Sequence, residues 1–181
     1  MTAVTSLEGK VDPNGILRED ALEEPLRTGA FTVFAQRTDA RVELSTWQRH
    51  AEQFFDARLG LTTDKRYRAP TFPTVDAALV VLAPRAAEGG TRLCYGRPRT
   101  DDDLRAAEDA DARAGNTGLG LLARRCDSVW LVVTESKDDQ TALLLSAILA
   151  SVVLGPILAP DQQALFGVKT ARAKLEALGG P

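Results

Sequence analysis

The sequence predicts a sandwich of the α+β class, in which helices cover an antiparallel or mixed β-sheet. Three observations carry that prediction. Short apolar, β-branched runs alternate with longer segments of helical periodicity. Several helical segments follow a Ser or Thr with an acid or amide three residues on, the spacing of a capping box. Composition is ordinary for a globular chain, with 44% hydrophobic and 26% charged residues, and 181 residues suffice for one substantial core.

Residues 1–30 read as a polar N-terminal arm or hairpin, because Asp12-Pro13-Asn14-Gly15 places turn chemistry between Val11 and Ile16-Leu17. A single α/β domain then runs over 31–181. Its first strand lies near 31–36 (FTVFAQ), aromatic and β-branched. Ser45 with Gln48 opens a helix whose Trp47, Ala51, Phe54 and Phe55 form an apolar stripe. The stretch 62–74 (TTDKRYRAPTFPT) reads as a loop, since two prolines exclude a regular element. Residues 77–83 (AALVVLA) form a continuous apolar strand, and 91–95 (TRLCY) a half-exposed hairpin partner.

Thr100 with Asp103 opens an acidic helix that Gly115 interrupts, after which Leu119, Leu122, Ala123 and Cys126 resume helical spacing. The clearest strand follows at 128–134 (SVWLVVT). Ser136 with Asp139 launches an apolar helix over 142–154, and a last helix covers 170–178. Strand, helix, strand, strand, helix, strand, then additional C-terminal helices: this order matches the ferredoxin-like βαββαβ arrangement, with two helices on one sheet face. The apolar helix then covers the opposite face and completes three layers.

The stretch 141–160 carries no charged side chain, which raises the question of a membrane span. Gly155-Pro156 limits the uninterrupted helix to 142–154, roughly 20 Å at the usual rise, against a hydrocarbon layer of about 30 Å. Its flanks carry Asp138, Asp139 and Asp161 with no cluster of Lys or Arg. A helix buried in protein is expected, with no membrane span.

Net charge is −3, which supplies no field for nucleic acid. Two cysteines, Cys94 and Cys126, are too few for a disulfide framework and lack metal-site spacing. With no secretion signal at the N-terminus, a cytoplasmic protein of bacterial type is expected, without cofactor or metal.

Candidate chemistry is sparse. Gly118-Leu119-Gly120-Leu121-Leu122-Ala123 fits the spacing of a dinucleotide fingerprint, but a charged helical segment precedes it where the fingerprint needs a strand. The helix break and close packing explain those glycines. Asp101, Asp102, Asp103, Glu108, Asp109 and Asp111 interleave with Arg105 and Arg113 at helical spacing, as on a solvated face. His50, the one histidine, borders an apolar stripe, and Cys94 is placed on the exposed side of its strand. The remaining feature is basic and aromatic: Lys65, Arg66, Tyr67 and Arg68, with Arg92, Tyr95, Arg97 and Arg99, suit an anionic ligand or an acidic partner surface. These readings point to a non-catalytic interaction or regulatory module that binds a protein partner or forms a homo-oligomer, in part through helix 142–154. The alternative is a small-ligand-binding protein or enzyme using the Arg/Tyr patch with Cys94 or His50.

Overall fold

The computed structural model describes residues 29–36, 44–61, 67–68, 76–84 and 90–179. The arm expected over 1–30 lies outside them except for its last two residues. Five strands of five residues or more form an antiparallel sheet in the spatial order β2 (Ala57–Leu61), β4 (Asp76–Pro84), β5 (Gly90–Pro98), β6 (Ser128–Val133) and β1 (Ala30–Ala35). Two-residue strands extend it: β3 (Tyr67–Arg68) on β4, β7 (Ile157–Leu158) on β1 and β8 (Leu165–Phe166) on β7. The described residues also form five helices, α1 (Leu44–Phe55), α2 (Asp101–Arg113), α3 (Leu119–Arg124), α4 (Gln140–Val153) and α5 (Val168–Ala177).

Period-two alternation divides β1 and β6 between two cores. Phe31, Val33 and Ala35 of β1, with Trp130 and Val132 of β6, pack in a core with α1, α4 and α5. Phe34 and Val129 pack in the other, under α2 and α3. Both strands are covered on both sides, which is why they read as continuous apolar runs.

The three layers are present, but their contents and the strand order depart from the ferredoxin-like expectation. In a split βαβ unit a single helix returns the chain for a parallel strand, leaving room for one strand between. Here the chain leaves β5, runs along α2, reverses at the Gly115 break and returns along α3 to the end it left. Arg99 N–H accordingly donates to Asp127 O at 3.0 Å, and Pro98 lies opposite Ser128. Two helices instead of one make β6 the direct antiparallel neighbour of β5, and β1 is displaced to the far side of β6. The first helix and the apolar helix also share a face, joined by Trp47 packed edge-on against Trp130 at 5.4 Å.

Smaller corrections have local causes. The first strand is Ala30–Ala35, one residue early. Ser45 lies inside α1, not at its cap, and Gln48 donates instead to Leu59 O at 3.0 Å. Asp139, not Ser136, caps α4, accepting the Ala142 N–H at 2.9 Å. Strand β3 lies within the segment read as a loop, and β2, β7 and β8 add to the expected set. By contrast, the Thr100–Asp103 capping box forms in both directions, at 3.2 and 2.8 Å.

Helix α4 ends at Leu154, in the left-handed region at φ 58, because the next residue is pressed against β1. A Cβ on Gly155 would fall on the Phe34 carbonyl oxygen. The chain there runs along the strand, with Phe34 N–H donating to Pro156 O at 2.9 Å and Gln36 N–H to Val153 O at 3.1 Å. Residues 142–150 are all buried, so the apolar surface expected to serve an interface is used inside the fold. Among the described residues no helix is long and apolar enough to cross a membrane.

Candidate functional site

Among the described residues of the expected Arg/Tyr patch, Arg92 and Arg97 do not share a surface. Lys65 and Arg66 lie outside the described residues. Tyr67 and Arg68 pair with Ala77 and Asp76 at the start of β4, whereas β5 pairs with Ala78 to Leu82. Within β5, Arg92 and Arg97 are an odd number of residues apart and so serve opposite faces. Arg92 donates from Nε and Nη2 to Asp139 at 2.7 and 2.8 Å, and Arg97 from Nη1 and Nη2 to Asp103 at 2.5 and 2.8 Å. Both guanidinium forks therefore hold carboxylates of the chain itself. Arg99 donates from Nε to Cys126 O at 2.6 Å, and Tyr95 lies opposite Leu131 in the sheet.

The nucleophile and base candidates are similarly committed. Cys94 is wholly buried in a central strand, correcting its expected exposure, and burial pushes its thiol far above the ordinary range. Burial also raises the Cys126 thiol to about 11, the largest effect there, with Arg99 opposing. His50 Nδ1 lies 2.9 Å from Ser151 Oγ, while that hydroxyl is 2.6 Å from Ile148 O. A hydroxyl has one proton to give; donated to Ile148 O, it leaves Ser151 Oγ as the acceptor of an Nδ1–H. That is the reverse of an activated serine.

The glycines of 118–123 surround an internal anion. Asp111, expected on the solvated face, is buried and accepts from Thr117 Oγ1 at 2.5 Å, Thr117 N–H at 2.9 Å and Gly118 N–H at 3.3 Å. The Thr117 hydroxyl is the main cause holding its carboxyl below the usual range, against the opposing effect of burial. A carboxylate thus occupies the loop where a dinucleotide would place phosphate.

Among the described residues a concave feature lies elsewhere. An open cleft of about 930 Å³ forms where β6 ends and α4 begins. One wall is the loop 134–139, the second the turn 159–164 between β7 and β8, and the third the end of α5. Phe31, Leu143 and Phe166 give it an apolar floor, each less than a tenth exposed. Lys137, Asp138, Asp161 and Lys174 charge its rim, and the Lys174 ammonium sits 5.3 Å from the centroid of the Phe166 ring.

Hydrogen bonds fix each wall. Thr134 donates from its N–H and hydroxyl to Gly29 O at 3.3 and 3.0 Å. Asp139 accepts from Arg92, from Glu135 N–H at 2.8 Å and from Ala142 N–H, which pins both ends of the loop. Burial works to raise the Asp139 carboxyl, but the Arg92 and backbone hydrogen bonds together hold it below the usual range. Ala159 and Ala164 close the turn at 2.9 Å, and Arg113 donates to Gln162 O at 2.7 Å, tying it to α2. Gln140 Nε2 donates to Leu178 O at 3.1 Å, joining the start of α4 to the end of α5. The result is a preformed hollow with an apolar base and ionic edges, suited to an amphipathic guest.

Among the described residues, no group of three or more His, Cys, Asp or Glu side chains is placed to hold a metal ion. Compared with models of known protein families, with curated proteins and with solved structures, the chain matches none.

Proposed function

We propose that this chain is a non-catalytic binding module of regulatory type and that the cleft between the 134–139 loop, the 159–164 turn and α5 receives its ligand. The observation that carries the reading is the cleft itself: its volume of about 930 Å³ lies within the span of small-molecule sites, and its walls are held by internal hydrogen bonds. The committed state of Cys94, His50 and Ser151 supports binding over catalysis. The ligand-binding alternative thus moves from the Arg/Tyr patch to the cleft. A protein partner is the second reading, favoured by Leu178, an exposed leucine on the rim that an apolar side chain of a partner would cover.

Protein-observed NMR with a fragment library tests the proposal. Hits that shift the amides of 134–139 and 159–164, and lose affinity in Ala177→Phe at the cleft wall, are expected. Hits scattered over the surface, or unaffected by that substitution, would overturn it. A library that leaves the cleft amides still, with a pulled-down protein that shifts them, would favour the second reading.

A further inference from the structure

We infer that the guest of the cleft is an amphipathic cation, an amine or guanidinium on a short apolar body, and that Lys174 is its tethered stand-in. This rests on the reading of the cleft as a binding site. Lys174 is exposed on the last turn of α5, yet its ammonium rests over the face of Phe166 at 5.3 Å. Phe166 is itself 6% exposed, so this ring face is anchored in the core and covered by a movable side chain. A π face attracts a cation and repels an anion. The spot therefore has a chosen sign, and the group now filling it swings on a flexible four-carbon stem.

The rim agrees with that sign. Asp138 and Asp161 are exposed carboxylates from two different walls, and Lys137 offsets part of their charge. Asp161 accepts the Gln163 N–H at 3.0 Å and keeps acceptor capacity for an ammonium. Asp139 is different, being saturated by Arg92 and two backbone N–H groups, and it builds the wall instead of greeting a guest. A ligand ammonium would displace Lys174 from the ring, lay its apolar body on Phe31 and Leu143, and reach a rim carboxylate.

Hexylamine, hexanol and hexanoate share one apolar body and differ in the charge of the head, so titrating the full chain with each, followed by amide shifts, tests the inference. The amine is expected to bind tightest and hexanoate weakest. Lys174→Ala and Lys174→Met should tighten hexylamine by about two- to fivefold and leave hexanol unchanged, because they remove an internal competitor worth one weak cation–π contact. Phe166→Leu should abolish the advantage of the amine over the alcohol. Preference for hexanoate, or weaker amine binding in the Lys174 variants, would overturn the cationic assignment while leaving the cleft as the site. Silence of the cleft amides toward all three probes would remove both.

Discussion

Arg92 and Arg97 leave β5 from opposite faces, and each closes its fork on the acid that starts a helix: Asp139 for α4 and Asp103 for α2. A cap is thereby bolted to the central strand, so the two arginines set where each helix begins relative to the sheet. The Asp139 side chain is 1% exposed and its partner 12%, so removing one member strands a buried charge. Arg92→Ala is expected to cost about 3 kcal/mol in denaturant unfolding, well above an exposed ion pair. Both acids titrate low. At Asp103, as at Asp139, burial pushes upward and is outweighed by hydrogen bonds and the charge of the arginine. A carboxyl whose folded value lies below its unfolded one contributes stability that is complete above the unfolded pKa of about 3.9 and is lost as pH falls through the folded value. The melting temperature should therefore hold above about pH 4 and drop below it, and Asp139→Asn should flatten part of that drop.

Gly120 shows how a neighbour reverses an ordinary rule. Alanine in place of a helical glycine normally adds up to about 1 kcal/mol of stability. At Gly120 the new Cβ would meet Asp111 Oδ2 at 3.1 Å and Asp111 Cβ at 3.2 Å. Asp111 is held by Thr117 and the loop N–H groups and has little freedom to retreat. Gly120→Ala is expected to destabilise by about 1–2 kcal/mol. A gain in stability by chemical denaturation would refute the tight packing described.

At the scale of elements, α4 is the pillar of the larger core. Leu145→Ala, at a position with no exposed surface, is expected to cost about 3–5 kcal/mol. Gly155→Ala should cost at least as much, because its Cβ has to push β1 aside at Phe34. The α4 helix was legible in the sequence, since Gly155-Pro156 ends an apolar run too short for a bilayer. So were β6, from an unbroken β-branched run, and the start of α2, from Thr100 and Asp103. Strand β2 was not, because Arg58 and Gly60 dilute its pattern directly after a helix. The strand order was hidden as well: it depends on α2 and α3 folding back as a pair, which the Gly115 break permits but local periodicity does not dictate. The cleft was the least visible. Its parts come from residues near 30, 134–143 and 159–178, and the residue that sets its wall, Asp139, takes its partner Arg92 from 47 positions away. A polar loop at the end of the clearest strand, just before a helix, was the one local signal.

For the molecule as a whole, long-range pairing dominates. β1 meets β6 with partners such as Phe31 and Val132, roughly a hundred residues apart, and meets β7 farther along still. Such topologies pay loop-closure entropy before contacts reward it, so refolding is expected on the millisecond-to-second scale of non-local β proteins. Stopped-flow fluorescence can follow it through the buried Trp47–Trp130 pair. A microsecond phase carrying the whole signal would contradict the sheet order.

That order also has a meaning during synthesis. β1 is the earliest described strand to leave the ribosome, and both of its neighbours emerge near the other end of the chain. Until they arrive, Phe31, Val33 and Phe34 lack the strands that flank them in the sheet, which leaves a binding site for a chaperone and a seed for clumping. A nascent polypeptide stalled before residue 128 would display that seed openly.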